Sequence, residues 1–590
     1  MSPIIKKNLF IISLLTSFAL GILPACGFAE DEISPETPVA APSQNSPQQN
    51  LGQQNSGGGN FSFGRYLSGK FAESHGDGEN GIAFLRESLK NDPDNVNLQL
   101  SLYNLLLGAG NIEEAIEIAN KLQQQQIESD NPDFPLALLS AVGSAKKGDF
   151  KLAASQTEKI SKTGFNSLLI PLLQNWLKIS DMKTSIEAKD VMPNGKLILS
   201  HAYLNAAFIN EIAGFKEAAD KQYEDALVDT RIENFRAAEA LINYYKRSGR
   251  KQELQKFTEQ YSSQGNRSFL ADFPDIDSPE PLVADATQGL AEAFYTIAAI
   301  FHGVRSPEDE IASLNIALYL RPDFSAAKFL LAGSYELTNS YAKAINVYKS
   351  IDPTSIYYSR GRILTAYDQS ELGNKTEAIV ALEKIIAESP DDITALLAKG
   401  DILRSQNNFK DAIISYNDAE KRLKSPQKRH WIIYFSRGAC YDRIGERENA
   451  ENDMRKALAL NPDEPDVLNY LGYSLLEKRQ NIAEAKKMIE QAYEQRPEDA
   501  HIIDSMGYSL YVEGDFASAK EYFEQALERI ADDPTTNEHL GDTYWQLGRK
   551  TEARYQWQKA IDRSDDEIIK SELKKKLENG ITILKSPPLP

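Results

Sequence analysis

The sequence predicts an all-α fold, a solenoid of about 12–14 stacked helix–turn–helix units behind an export signal and a disordered linker. Three observations predict it. First, 590 residues exceed what one hydrophobic core can serve, so the chain is several domains or one extended array. Second, small residues recur at a near-constant period: Ala298, Ala332, Ala366, Gly400, Gly438, Gly472, Gly507 and Gly541 stand 34, 34, 34, 38, 34, 35 and 34 residues apart. Third, the chain's punctuation keeps step with them. Gly373, Gly514 and Gly548 separate the two apolar runs of a unit, and Pro322, Pro390, Pro462 and Pro497 separate one unit from the next.

From the N-terminus, residues 1–29 read as a secretory signal, with Lys6 and Lys7 before an apolar run from Leu9 to Leu23 that Pro24 closes. The run is too short for a transmembrane anchor. Two cleavage routes are open. Gly27-Phe28-Ala29 suits a signal peptidase and would leave a soluble periplasmic protein, whereas Leu23-Pro24-Ala25-Cys26 is an imperfect lipobox that would leave Cys26 lipidated, an outer-membrane lipoprotein facing the periplasm. The proline favours the first route; the linker over 30–60, rich in Gln, Asn, Ser and Gly, suits the second as a flexible tether.

An N-terminal array follows over 61–263. Gly69 and Pro93 frame a unit at 62–95, Gly110 and Ala115 mark one at 96–129, and Gly148 and Ala153 mark one at 134–167. Ala207, Gly214, Ala219, Tyr223 and Ala226 mark 200–233; the stretches 168–199 and 234–263 read as divergent helical pairs. Residues 264–290, with Pro274, Pro279 and Pro281 and no helical apolar period, read as a loop joining two sub-arrays. The C-terminal array of eight registered units covers 291–567. Within each unit a small residue on either helix permits close approach, and a large one fills the space beyond: Tyr335 and Tyr544 on the first helix, Tyr348, Tyr416, Phe523 and Trp557 on the second. The spacing of 38 across Lys421 to His430 inserts about one extra turn. Residues 568–590 form a charged cap helix and tail, which a solenoid needs over its last apolar face.

The acidic runs DPDN at 92, RPDF at 321, NPDEPD at 461 and RPED at 496 each precede a helix and read as N-caps rather than metal loops. Basic residues Lys421, Arg422, Lys424, Lys428 and Arg429 close a helix and complement its dipole. Cys440 sits in a helical repeat as a small packed hydrophobe, and with Cys26 it makes no disulfide framework.

The period and its small residues resemble the tetratricopeptide repeat. The resemblance implies a right-handed superhelix whose concave wall is lined by the first helix of each unit. The segments LNYLGYSL, DSMGYSLYVEGD, EHLGDTYWQLGR and GLAEAFYTIAAIF are similar to repeats of bacterial envelope proteins of that family, which implies an adaptor in outer-membrane assembly, secretion or polysaccharide export.

On the last three first helices, outward positions carry Asn469, Asp504 and Glu538; then Tyr473, Tyr508 and Asp542; then Leu476, Tyr511 and Trp545. Columns of amide, carboxylate and ring suit an extended peptide, the polar groups bonding its backbone and the rings gripping its side chains. The expected partner-binding groove is therefore Asn469, Tyr473, Asp504, Tyr508, Tyr511, Glu538, Asp542 and Trp545. A non-enzymatic scaffold for an envelope protein or peptide is one function; a module gripping polysaccharide is the alternative.

The formal charge of -20, from 65 basic and 85 acidic residues, repels nucleic acid and anionic lipid, so the only expected membrane link is the N-terminal lipid. No HExxH, GxSxG or GxxxxGK[ST] motif occurs, and the six histidines, His501 and His539 near the groove among them, include no pair at ligand spacing. Neither catalysis, a metal nor a cofactor is expected.

Overall fold

The computed structural model describes residues 78–582, apart from 126–133, 163–165, 194–198, 227–234, 262–279, 305, 391–392 and 424. The export signal, Cys26, the 30–60 linker, the opening of the 62–95 unit, Lys424 and most of 264–290 lie outside the described residues. Among the described residues there are helices and no strand.

They fall into two compact units, one chiefly of 78–257 and 280–361, the other chiefly of 362–582. The first contains α1 (Gly78–Asn91), α2 (Val96–Ala109), α3 (Ile112–Gln125), α4 (Phe134–Lys146), α5 (Phe150–Glu158), α6 (Asn166–Leu177), the one-turn α7 (Ala188–Val191), α8 (Leu199–Ile212), α9 (Lys216–Asp225), α10 (Phe235–Arg247) and α11 (Lys251–Tyr261). It also takes α12 (Ala286–Phe301), α13 (Pro307–Leu320), α14 (Ser325–Leu337) and α15 (Tyr341–Lys349), which the period of 34 groups with the later repeats.

The reason lies in α12. A helix flanked by neighbours on one side shows an apolar stripe, but α12 buries an unbroken run from Gly289 to Ala298, so it is enclosed all round. What encloses it and the α13 that follows is the set of first helices from the N-terminal half: α6, α8 and α10 against α12, α2 and α4 against α13. In chain order, α2 offers the Leu107 and Gly108 carbonyls to Asn315 Nδ2 of α13 at 2.8 and 3.2 Å, and α4 sends Lys146 Nζ to the Leu320 carbonyl at 3.1 Å. On α6, the Trp176 ring lies so close over Gly289 that no side chain fits there, while its Nε1 donates to Asn205 Oδ1 at 3.2 Å. Asn205 of α8 passes the chain on, donating to Thr296 Oγ1 of α12 at 2.9 Å. On α10, buried Arg236 forks onto buried Glu292 at 3.0 and 2.6 Å. The first-helix face of the N-terminal hairpins is thus filled by the chain's own hairpin α12–α13.

The second unit keeps the simple register. Its helices are α16 (Tyr358–Glu371), α17 (Lys375–Glu388), α18 (Thr394–Ser405), α19 (Phe409–Arg422), α20 (Trp431–Arg443), α21 (Arg447–Leu460), α22 (Pro465–Glu477), α23 (Ile482–Gln495), α24 (Ala500–Glu513), α25 (Phe516–Arg529), α26 (Pro534–Gln546), α27 (Lys550–Arg563) and α28 (Glu567–Asn579). The extra residues at 421–430 form a 3₁₀ turn, Lys428–His430, between hairpins.

The small-to-large pairing is what closes each hairpin. A Cβ added to Gly541 would lie 2.6 Å from the Trp557 ring, and one added to Gly507 would lie 2.8 Å from Phe523. Both rings are fully buried, so the missing side chains let α26 and α24 seat directly on large apolar surface. Of the acidic runs before helices, Asn95 and Asp499 do cap, accepting from Leu98 N at 3.1 Å and His501 N at 2.9 Å; Phe324 and Glu464 occupy the cap position without a side-chain bond. No group of three potential metal ligands forms among the described residues. The Cys440 thiol is buried and pushed up to about 12 by that burial, which leaves it protonated and unreactive. In the basic run that closes α19, Lys421 pairs with Asp418 at 3.1 Å, and Arg422 donates to the Pro390 carbonyl at 2.9 Å.

Candidate partner-binding face of the second unit

Of the last three first helices, α22, α24 and α26, the latter two begin on side-chain caps. Asp499 caps α24, and Asp533 accepts from Thr536 N at 2.7 Å ahead of Pro534, whose fixed φ suits the first helical turn. With Gly472, Gly507 and Gly541 turned onto the second helices, the expected groove residues lie along the remaining face.

The structure brings some of them together and divides the rest. Tyr473 and Tyr508 stand 5.0 Å apart between ring centres, and Tyr508 is stacked on His539 at 4.8 Å and on Tyr511 at 6.2 Å. His539 is the clasp. Its Nδ1 lies 3.0 and 3.2 Å from the two oxygens of Asp504, and its Nε2 lies 3.3 Å from the Tyr473 hydroxyl, so one imidazole ties α22, α24 and α26.

His539, to which the repeat pattern assigns no role, is held on both sides: its side chain is only 11% exposed and both ring nitrogens are engaged. The available signal is its distance of 35 residues from Asp504, one repeat, which makes them neighbours across successive units. Burial would lower the imidazole's pKa, but the Asp504 carboxylate outweighs it and holds the value above the usual one. Burial raises the phenols of Tyr473 and Tyr508 and pushes Tyr511 up to about 12, so all three stay neutral hydrogen-bonding rings. His501, one turn earlier on α24, remains partly exposed.

Glu538, Asp542 and Trp545 belong to a second cluster. Lys576 of α28 reaches Glu538 at 2.7 Å and Asp542 at 2.6 Å, and Asp542 also accepts from Trp557 Nε1 at 2.8 Å. Trp545 donates its Nε1 to the Ile581 carbonyl at 2.8 Å, and Gln546 Nε2 donates to Thr582 at 3.0 Å. The ring lies against Gly580 with no room for a side chain, and only 7% of Trp545 is exposed. These three expected groove residues are therefore covered by the chain's own C-terminal segment. A sequence pattern marks 568–590 as a cap but not where Lys576 points.

Asn469, partly exposed on α22, has its Oδ1 shielded from water and without a hydrogen-bond partner. Leu476, in the column with Tyr511 and Trp545, is fully buried in the core beneath α22. The open part of the face is thus Asn469, Tyr473, Tyr508 and Tyr511, with Asp504 behind them.

Residues 363–427 and 505–567 match one family model, and residues 433–464 match another, both described as tetratricopeptide repeat. The TPR repeat-containing protein PA4667 of Pseudomonas aeruginosa is 27% identical over 193 residues, which cover 32% of this chain. The match also spans 32% of that relative, about a third of its length. Among solved structures, the fold is similar to the APC/C hetero-tetramer Cut9-Hcn1 (TM-score 0.38, 15% identity, 89% of this chain and 97% of that one). It is likewise similar to YrrB, a TPR protein with an unusual peptide-binding site (TM-score 0.26, 24% identity, 33% and 98%), and to Pseudomonas aeruginosa pilF (TM-score 0.31, 17% identity, 37% and 97%).

Proposed function

We propose that this chain, which carries tetratricopeptide repeats at 363–427, 433–464 and 505–567, is a non-enzymatic scaffold of the bacterial cell envelope that binds an extended peptide or protein segment on the first-helix face of its second unit. One observation carries the reading: the row Tyr473, Tyr508 and Tyr511, with ring centres 5.0 and 6.2 Å apart, runs beside an Asn469 carboxamide oxygen that accepts no bond. A buried acceptor without a donor costs about 1–3 kcal/mol, and an outward turn of the Asn469 carboxamide would bring its oxygen to a peptide N–H while the rings take the side chains. The matching face of the first unit is filled by α12 and α13, which directs a partner to the second.

The envelope assignment rests on Lys6, Lys7 and the apolar run that follows them. Labelling with palmitate, compared between the natural chain and Cys26→Ser, decides the anchor: label that depends on Cys26 establishes the lipoprotein, and its absence leaves the soluble form. For the face itself, full-length protein with Tyr508→Ala and Tyr511→Ala is expected to retain at least tenfold less partner from envelope extract, at unchanged helicity. Undiminished retention removes the face from consideration. Capture of glycan with no protein would instead favour a polysaccharide module.

A further inference from the structure

The covering of Glu538, Asp542 and Trp545 has the chemistry of a bound ligand. A cap that only hides apolar surface needs apolar contact; this one adds a lysine ammonium shared by two carboxylates at 2.7 and 2.6 Å. It also adds two backbone carbonyls, Ile581 and Thr582, each accepting from a side chain of α26. Contacts to main-chain carbonyls are indifferent to sequence, and a carboxylate pair is selective for one cation; here the last helical turn supplies the cation and the chain leaving the helix supplies the carbonyls. Of the thirteen residues of α28 only Leu573 is fully buried, with Ile569 and Leu577 partly buried on the same cluster.

We propose that α26 from Glu538 to Gln546 is a docking site for a partner's lysine-bearing segment that ends a helix and continues extended, and that residues 576–582 of this chain, the last turn of α28 and the three residues after it, are its resident, displaceable occupant. The required pattern is read from the occupant: a lysine, then an apolar residue such as Leu577, then a small residue where Gly580 passes the Trp545 ring, then an apolar residue in the place of Ile581, which packs on the same cluster. The proposal rests on the peptide-scaffold reading but concerns a different stretch of the face, so the two fail separately.

Gly580→Val tests it in the full chain, because it unseats the resident segment without altering Glu538, Asp542 or Trp545. The probe is a fluorescein-labelled peptide copying residues 571–582, read by anisotropy. Gly580→Val is expected to bind it at least tenfold more tightly than the natural protein. A peptide with methionine in place of its third lysine, or Glu538→Gln with Asp542→Asn in the Gly580→Val chain, should lose that gain. The Tyr508→Ala, Tyr511→Ala protein, carrying Gly580→Val, should still bind the peptide. Should Gly580→Val lose global helicity, Lys576→Met replaces it with the same readout. Failure of the peptide to bind a folded, unseated variant, or equal binding to the natural protein, would reduce the segment to a plain cap.

Discussion

At Glu464, just before α22, burial and the nearby Asp466 push the carboxyl up to about 7, although Asn461 donates to it at 2.8 Å. A carboxyl raised in the folded state costs nothing below its unfolded value near 4.5, and the cost grows until pH passes about 7. Glu464→Gln should therefore stabilise the protein by about 1–3 kcal/mol at pH 8 and hardly at all at pH 4. Urea denaturation at the two pH values checks it. His539 has the opposite sign. Its folded value is raised, so its contribution is complete below the unfolded value of 6.5 and is lost as pH rises through the folded one. The natural protein should lose melting temperature over that rise, and His539→Gln should flatten this part of the profile. Gly541→Ala tests the hairpin closure: with the new Cβ 2.6 Å from Trp557, overpacking should cost about 1–3 kcal/mol. An unchanged denaturation midpoint would show that α26 and α27 can part at no cost.

Between elements, the clearest joint is Arg236 of α10 on Glu292 of α12, with Glu239 adding a third contact at 2.7 Å. Both partners are almost wholly enclosed, 3% and 0% exposed at the side chain. Removing one strands the other's charge, so Arg236→Met or Glu292→Gln should each cost about 3–5 kcal/mol, and the double replacement less than the two added together. Equilibrium unfolding of the four proteins gives that cycle. This joint also marks where reading the chain stops. The hairpins from α16 to α27 follow from the period, because their packing lies within a unit or between neighbouring units, with the Tyr473–His539 bond reaching two units. Arg236 and Glu292 are 56 residues apart, and Asn205 and Thr296 are 91 apart; no periodic pattern links them. The one available sign was in GLAEAFYTIAAIF, a helix with no polar side for water apart from a glutamate that had to be paired. At the candidate face, the tyrosine row was legible as columns one repeat apart. The covering of Trp545 was not, since Lys576 and Ile581 follow the last repeat.

The described residues form a run of hairpins of which one, α12–α13, fills the face of others made far earlier. A fragment ending at 263 should consequently be hollow, binding a hydrophobic dye and unfolding without cooperativity, whereas one ending at 361 should unfold cooperatively; equal behaviour of the two would contradict the burial of α12. There is a further consequence in time. Repeats that touch only their neighbours can set in order as they leave the ribosome. Here Leu107 waits for Asn315, 208 positions downstream, and Lys146 for Leu320, 174 downstream. At ordinary elongation rates of ~5–20 residues per second, that delay is about 10–40 seconds, during which the earliest helices expose oily surface to whatever else is nascent nearby.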